Sequence, residues 1–361
     1  VIAAAGNEGV DIDNPWIDNG SPTDVPTPTK NRAVEGSIRV PSMLDGVAQA
    51  LASDPALEIV LCGPADVVEP FAAAHERCTP QACSEVIAMA EHPANAVRKK
   101  KDSSIVVGCR LVKEGAAQGF FSAGSTGACL AAGTLVRGRI KGFARPALAT
   151  VIPSPVGPVV MGDIGANADC KPEYLVQFGQ MASIYAEKVI GIEHPRAALL
   201  NIGEEDTKGS QFAQEAHGLL RERLSNFAGN AEGSDILPAN FDVIITDGFT
   251  GNVCLKTIEG TSKTLFKTLK SIMMSTPLTK LGALAIKGGL KQLMAQVSPD
   301  TYGGAPLLGV KGALLVGHGS SNALAVKNGV LTTARIARTG VSDIIAQTVA
   351  TPCAAEATEG E

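Results

Sequence analysis

The sequence is poor in aromatic residues and has no basic excess. Its 361 residues include 10 Phe, 3 Tyr and 1 Trp, few for a protein that stacks on nucleobases. The formal net charge is -5, whereas binding to a phosphate backbone favours a positive protein. Both features argue against nucleic acid as the main partner.

Cysteine and histidine are present without the spacings that give them a structural role. The eight Cys form no CxxC pair, and the five His form no HExxH motif. No apolar run is long enough to span a bilayer, and no secretion-signal pattern opens the sequence. We expect a cytoplasmic protein with reduced thiols, no metal and no cofactor.

The motifs of several large enzyme classes are also missing. There is no GxSxG, no Walker A pattern and no GxGxxG after the first clear strand. No histidine lies beside a suitable Ser or Cys nucleophile in the sequence. These absences favour a reaction that needs neither a strong base nor a covalent nucleophile.

Short β-branched runs alternate with segments typical of helices. One helix is predicted to begin at Lys171-Pro172-Glu173, with proline in its first turn. Alternating strands and helices favour a doubly wound, mostly parallel α/β sheet with helices on both faces, a three-layer fold. The clearest predicted strands are Leu57–Cys62, Ala147–Ile152, Val159–Ile164, Ala197–Ile202 and Phe241–Thr246.

The predicted organisation is one α/β catalytic domain over residues 37–350. Residues 1–36 are rich in Pro, Asp and Asn and are predicted to be irregular, although Val1–Gly9 has strand character. Residues 351–361 are expected to be a flexible tail. A helical amphipathic excursion is expected at about 273–298.

Five glycine-rich loops follow predicted strands and lead into helices. Free N–H groups and the positive end of the helix dipole make such helix starts suitable for anions. Five of them predict one composite site for a negatively charged ligand. They span residues 122–128, 163–171, 201–205, 247–252 and 317–322.

Seven motifs together closely resemble the PlsX phosphate acyltransferases. The resemblance runs from about Pro41 to Val330. It implies an isopropylmalate-dehydrogenase/phosphotransacetylase-like fold and the conversion of acyl-[acyl carrier protein] and inorganic phosphate to acyl phosphate and free carrier protein, for phospholipid synthesis. The motifs are KKDSS at 100–104, SAGSTGA at 122–128, GANADCKPE at 165–173, NIGEE at 201–205, DGFTGNV at 247–253, GGAPLLGVKG at 303–312 and GHGSSN at 317–322.

Two positions depart from the family pattern. Val1–Gly9 lacks the DAMGGD-like loop with which family members usually begin. Ser125 stands where many members have Asn, a tolerable exchange of small polar groups. The consequence of the altered N-terminus for activity is left open.

The implied chemistry suits the absence of a catalytic triad. Phosphate is already an anionic nucleophile at pH 7, and a thiol leaving group with a pKa of about 8.5 needs little protonation. We therefore expect direct attack of phosphate on the thioester, without a covalent acyl-enzyme. The site must hold an anion beside a carbonyl and stabilise the oxyanion.

Four side chains are predicted to be catalytic: Lys171, Asn252, Lys256 and His318. Lys171 lies at a helix start, where a cation opposes the dipole unless it serves an anion. His318 lies between two glycines and can hydrogen-bond phosphate or the oxyanion. Thirteen residues are predicted to bind substrate or phosphate: Gly124, Ser125, Thr126, Gly127, Asn167, Asp169, Asn201, Glu204, Asp247, Thr250, Gly251, Ser320 and Asn322.

Each candidate also has a structural alternative. Asn252 and Thr250 are equally suited to capping the helix that follows, and Asn167 and Asp169 to capping the Lys171 helix. Lys256 is either part of the site or a solvated helix lysine. Either glutamate of the 201–205 loop can position a lysine rather than substrate. Cys170 is expected to be a small buried thiol and not an acyl carrier.

Two surfaces are candidates for contacts with partners. The basic run Arg98, Lys99, Lys100 and Lys101 is either a solvated face or a landing patch for acidic acyl carrier protein. The segment 278–294 has leucines beside lysines, which suits membrane contact, core packing or dimer packing. Gly288-Gly289 predicts a break there between two short helices. The resemblance further implies a homodimer, peripheral membrane association and contact with the next acyltransferase of the pathway.

Three other functions compete with this hypothesis. An acyl-CoA phosphotransacylase shares the chemistry and differs in the thiol carrier. A nicotinamide-dependent decarboxylating dehydrogenase on a related sheet needs a divalent metal held by aspartates. A non-catalytic scaffold for lipid-synthesis enzymes at the membrane is compatible with the altered N-terminus.

Overall fold

The computed structural model describes residues 2–5 and 40–350, which form two compact units. The first unit contains residues 2–5, 40–146 and 302–350, and the second contains residues 147–301. The sequence predicts one domain over 37–350, and the structure divides that range into two bodies with their own strands and helices. The tail prediction for 351–361 lies outside the described residues.

Strands of three to six residues supply the sheet framework. In chain order, the strands of the described residues are β1 (Ile2–Ala5), β2 (Ile59–Gly63), β3 (Cys78–Ala82), β4 (Gly119–Ser122), β5 (Ala147–Ile152), β6 (Val159–Gly162), β7 (Ala197–Leu200), β8 (Phe227–Ala231), β9 (Val243–Ile245), β10 (Ala305–Leu308) and β11 (Ala313–Val316).

Helices connect most of these strands. In chain order they are α1 (Val40–Ser53), α2 (Ala65–Ala73), α3 (Pro93–Lys99), α4 (Ser104–Glu114), α5 (Thr126–Ala132), α6 (Pro172–Tyr185), α7 (Gln211–Arg223), α8 (Gly248–Met273), α9 (Pro277–Gln296), α10 (Ala323–Thr339) and α11 (Val341–Ala350). None of those within residues 40–350 combines the length and apolar composition needed to cross a bilayer.

The first unit orders its strands β3-β2-β1-β4-β11-β10. All neighbouring pairs are parallel except β10 and β11. Strand β1 lies between β2 and β4, with Ile2 only 2% exposed. The strand character predicted for Val1–Gly9 is observed at Ile2–Ala5, whose apolar residues supply an interior strand at the start of the segment predicted to be irregular. Residues 6–36 lie outside the described residues.

Helices cover both faces of the first unit's strands. A Cβ atom built on Gly108 of α4 would lie 2.2 Å from the Phe120 ring, and one on Gly329 of α10 would lie 2.3 Å from the Phe121 ring. Because consecutive strand residues point to opposite faces, α4 and α10 pack on opposite sides of β4. The doubly wound α/β fold predicted from the sequence is confirmed.

The second unit orders its strands β5-β6-β9-β7-β8. Strand β5 is antiparallel to β6, and the remaining neighbours are parallel. The strands predicted from the apolar runs in this unit are all present. Parallel pairing brings the carboxyl ends of β6, β9 and β7 to one edge, where ligands bind in folds of this kind.

Helices α8 and α9 contact each other in the second unit. The predicted break at Gly288-Gly289 is wrong, because α9 runs through both glycines as one helix of 20 residues. Thr276 and Thr279 form a capping box at its start, and Pro277 occupies the first turn. The capping box, the first-turn proline and the length of the helix outweigh the loss of helix stability, about 1 kcal/mol, that each glycine causes.

Candidate functional site

Two of the glycine-rich loops come together in the first unit. They leave the parallel neighbours β4 and β11 at the same edge. The backbone N–H of Gly317 donates to the carbonyl oxygen of Ser122 at 2.8 Å and joins the loops. Ser125 caps α5 by accepting from the Ala128 N–H, and Asn322 caps α10 by accepting from the Ala325 N–H. Thr126 and Gly127 occupy the first turn of α5.

His318 is exposed in the loop after β11. Its Nδ1 accepts a hydrogen bond from the Ser320 backbone N–H at 3.2 Å and lies 2.7 Å from the Ser320 hydroxyl oxygen. These contacts assign the ring proton to Nε2 in the neutral form. His318 therefore presents an N–H donor and Ser320 orients its ring.

The loop after β6 is organised by a carboxylate that the sequence analysis did not select. Asp163 is fully buried. Its oxygens accept hydrogen bonds of 2.7–3.1 Å from the backbone N–H groups of Leu148, Gly165, Ala166 and Asn167 and from the Asn167 side-chain amide. Burial raises the pKa of Asp163, and these hydrogen bonds oppose the rise. The signal available in the sequence was an aspartate directly after a buried strand.

The Asp163 loop packs closely against the start of α8. The Gly248 N–H donates to the Asn167 carbonyl oxygen at 2.8 Å. A Cβ atom on Gly248 would lie 2.5 Å from that oxygen, and one on Gly251 would lie 2.0 Å from the Asp163 carbonyl oxygen. Only glycine allows this approach of helix to loop, so Gly251 shapes the site through its lack of a side chain.

Asp247 caps α8. Its carboxylate accepts from the backbone N–H groups of Phe249 and Thr250, both at 2.9 Å, and from the Thr250 hydroxyl at 2.6 Å. Asn252 is therefore not the cap and lies inside the helix. Its amide faces the loop after β6, because a Cβ atom on Gly165 would be 3.4 Å from Asn252 Nδ2.

Lys171 occupies the N-cap position of α6 and is exposed. Among residues 40–350 it has no ion-pair partner. Neither Asn167 nor Asp169 caps this helix, since no side chain does so and Asn167 bonds to Asp163 instead. Lys256 differs, because its Nζ lies 2.9 Å from the Glu259 carboxylate. Lys171 is therefore the better-placed cation for an incoming anion.

The loop after β7 is held by Asn201. Its side-chain oxygen accepts from the Ile202 N–H, and its amide donates to the Lys208 carbonyl oxygen. Glu205 lies 3.8 Å from Lys208 Nζ, as one alternative reading of the sequence expected. Asn201 therefore serves the shape of its loop.

Glu204 lines a cleft of about 680 Å³ beside β8 that also includes Arg196 and Arg221. Asp206 and Asp235 lie in the same wall, so the cleft carries several negative charges. No residue of the loops after β6 and β9 lines it. Those two loops combine helix starts, glycine backbone and the exposed Lys171, which are features that favour an anion.

Cys170 lies beside the Asp163 loop, with its thiol donating to the Asn167 carbonyl oxygen at 3.4 Å. Burial, and then the charges of neighbouring aspartates, raise the pKa of Cys170 to about 11. A thiol with this pKa is protonated at neutral pH and is a poor nucleophile.

The basic run from Arg98 to Lys101 is not one uniform patch. Lys100 is half-buried, and its Nζ lies 2.6 Å from the Glu91 carboxylate. Arg98 and Lys99 are exposed at the end of α3, and Lys101 is exposed just beyond it. Three of the four predicted docking residues are therefore presented to solvent.

Two solved structures share the fold of this chain. A phosphotransacetylase from Streptococcus pyogenes has a TM-score of 0.53 at 16% identity, with 82% of this chain and 91% of that chain covered. A branched-chain phosphotransacylase from Enterococcus faecalis V583 has a TM-score of 0.53 at 13% identity, with 84% and 97% covered. At this identity the likeness shows a shared fold.

Sequence relatives then identify the family. A profile described as "Fatty acid synthesis protein" matches residues 33–344. A phosphate acyltransferase of Desulfitobacterium hafniense strain Y51 is 50% identical over 278 residues, 76% of this chain and 83% of that protein. One from Heliobacterium modesticaldum is 50% identical over 290 residues, 79% and 85% of the two chains. The chain belongs to this family of acyltransferase enzymes, which confirms the resemblance found in the sequence.

We predict that Gly251→Ala destabilises the protein and that Gly260→Ala on the same helix does not. The added methyl at position 251 meets backbone, so we expect a loss of about 1–3 kcal/mol in the free energy of unfolding. Position 260 has open space, and alanine there should add about 0.5–1 kcal/mol. Urea denaturation of both variants measures the difference, and equal stabilities would contradict the packing described here.

Proposed function

We propose that the chain transfers an acyl group from acyl carrier protein to inorganic phosphate, giving acyl phosphate and free carrier protein for phospholipid synthesis. Membership of the phosphate acyltransferase family supports the reaction class. The observation that carries the proposal is Lys171, an exposed lysine without an ion-pair partner among the described residues, at the start of α6.

Electrostatics favour phosphate at this position. A lysine at a helix N-terminus is repelled by the positive end of the helix dipole. A bound phosphate dianion compensates for this repulsion, because it attracts both the lysine and the positive end of the dipole. The start of α8 lies against the same loop through the Gly248–Asn167 hydrogen bond. Asp163 contributes indirectly: its carboxylate is satisfied by N–H groups of the loop, so it holds the loop's shape without facing the anion.

The proposed mechanism is direct displacement. A phosphate oxygen attacks the thioester carbonyl carbon, a C–O bond forms, and the carbonyl electron pair moves onto oxygen. The Asn252 amide is a donor of the kind that stabilises such an oxyanion. When the oxyanion collapses, the C–S bond breaks and the thiolate leaves with the bonding pair. Lys256, paired with Glu259, is a predicted supporting charge. His318 lies in the first unit and stays a candidate from the sequence alone.

The protonated thiol of Cys170 favours direct attack by phosphate over the formation of an acyl-enzyme. Its pKa of about 11 leaves the thiol protonated at neutral pH. A covalent route also needs a base to activate the thiol, and the contacts of Cys170 are a carbonyl oxygen and a backbone amide. Phosphate needs no such activation.

We expect the protein to form acyl phosphate from an acyl-[acyl carrier protein] and phosphate. The measurement is acyl phosphate trapped as the hydroxamate, with the coenzyme A thioester of the same acyl chain assayed in parallel. Turnover with the coenzyme A thioester alone would replace the proposal with an acyl-CoA phosphotransacylase. Metal-dependent reduction of NAD or NADP would favour the dehydrogenase instead. No turnover with either thioester, together with retained membrane binding, would favour the scaffold.

Lys171→Ala and Asn252→Ala are each predicted to lower kcat for acyl phosphate formation by about 10²–10³ while the fold stays intact. The matched control is Lys188→Ala, which removes an exposed lysine already paired with Glu187 outside the site. Steady-state kinetics and circular dichroism measure both properties. Unchanged rates in the first two variants would remove these residues from the site.

The exposed apolar side chains of α8 and α9 support a predicted homodimer and a predicted membrane contact. Leu278 is 79% exposed, and Leu281 and Leu284 are each 66% exposed. Apolar patches of this kind mark protein or membrane interaction sites. Lysines 280, 287 and 291 lie among the leucines of α9, as in helices that bind at a membrane interface.

The double variant Leu281→Gln/Leu284→Gln should weaken whichever of these contacts the helix makes. Sedimentation velocity reports the dimer, and flotation with vesicles containing anionic phospholipid reports the membrane contact. Leu237→Gln is the control, because Leu237 is 45% exposed but lies outside α8 and α9. A variant that keeps both the oligomeric state and the vesicle binding of the parent protein would contradict this role.

A further inference from the structure

Helices α8 and α9 carry a concentrated positive charge in an acidic protein. Residues 248–296 contain seven lysines and one glutamate, with no Asp, Arg or His, which gives a formal charge of +6. The whole chain has a net charge of -5. This segment is therefore strongly attractive to an acidic partner, whereas the chain as a whole is not.

Four of these lysines form a stripe on one face of α8. Lys256, Lys263, Lys267 and Lys270 are spaced 7, 4 and 3 residues apart, which places them within a sector of about 60° on an α-helix. All four are exposed. At a rise of about 1.5 Å per residue the stripe is about 21 Å long. We call these four residues the lysine stripe.

The charges of the stripe are largely uncompensated among the residues that the structure describes. Lys256 pairs with Glu259, the single acidic residue of α8. Across residues 40–350, no ion-pair partner is found for Lys263, Lys267 or Lys270. These three lysines are therefore presented together on one side of the helix.

The surroundings of the stripe favour a protein partner over a membrane. Gly260 and Thr264, which lie between its lysines, are exposed and small. A helix that enters a membrane interface needs apolar side chains beside its cations, as α9 has. The exposed apolar side chains of α8, such as Leu265 and Leu269, lie on the opposite side of the helix from the stripe. The basic face itself is therefore polar and matches an acidic protein surface.

The stripe also begins at the proposed site. Asn252 and Lys256 are four residues apart, so they lie on the same side of α8. A partner that lies along the stripe from Lys270 therefore has one end directed towards Asn252. This is the geometry that a carrier needs to deliver a tethered thioester.

We propose that the lysine stripe is the docking surface for the acidic carrier protein and directs its thioester towards Asn252. The inference rests on the proposed function for the identity of the partner. It also places docking on α8 rather than on the basic run at 98–101, where Lys100 is already paired with Glu91.

The test compares three charge-reversal variants of the full-length protein. The first carries Lys263→Glu, Lys267→Glu and Lys270→Glu and leaves Lys256 in place. The matched controls reverse Lys280, Lys287 and Lys291 on α9, or Arg98, Lys99 and Lys101. Each variant is assayed for acyl phosphate formation over a range of salt concentrations, and its Kd for carrier protein is titrated directly.

We expect the first variant to raise the KM and the Kd for the carrier at least tenfold. Its kcat should change less than twofold, its KM for phosphate should stay the same, and its salt dependence should be flatter. Replacing the same three lysines by arginine should restore the parent values. An unchanged Kd, or a loss confined to the Arg98 triple variant, would overturn the inference. So would loss of anionic-vesicle binding with carrier binding intact.

The two proposals fail in different ways. If the parent protein forms no acyl phosphate from any thioester, the proposed function fails. The titration of carrier protein against the parent and the α8 variant still decides the docking surface. Circular dichroism and thermal unfolding confirm that a loss of binding does not come from a loss of fold.

Discussion

The site depends on one buried carboxylate. Asp163 has no exposed surface, and a charge in that environment persists only where hydrogen bonds replace water. Five N–H donors do so, one from Leu148 in β5 and the others from the loop after β6. The loop therefore closes around Asp163, and its Asn167 carbonyl oxygen is fixed where the Gly248 N–H of α8 can reach it.

This organisation explains how the chain can manage without a triad. The loop after β6 and the start of α8 lie against each other only because Gly248 and Gly251 have no side chains. Helix starts and a lysine attract an anion electrostatically. These interactions can position phosphate and stabilise the negative charge that develops in the proposed reaction. In the proposed mechanism the nucleophile is already charged, so glycine backbone and an asparagine amide would suffice without a catalytic base.

Much of the fold followed from simple patterns, and much of the site did not. The buried strands were predictable because short β-branched runs between turn residues are typical of buried strands. Val1–Gly9 showed strand character in the sequence, but the polar segment that follows gave no sign that this strand lies inside the sheet. Asp163 was missed because the sequence does not show which carboxylate will be buried and bonded by backbone N–H groups. Asn252 and Thr250 were considered suited to capping α8, and the hydrogen bonds show that Asp247 caps it instead.

Charge is the property for which whole-chain composition was least informative. A net charge of -5 argues against a polyanionic partner, yet one pair of helices in the same chain carries +6. Because screening limits electrostatic attraction to about 10 Å, a partner responds to the local surface and hardly to the sum. An acidic protein with one basic helix also discriminates between anionic partners. An extended polyanion is repelled by most of the surface, whereas a small acidic protein needs to contact only the lysine stripe. Segregated charge therefore selects a partner by its size as well as its sign, which suits the carrier protein proposed above as the partner.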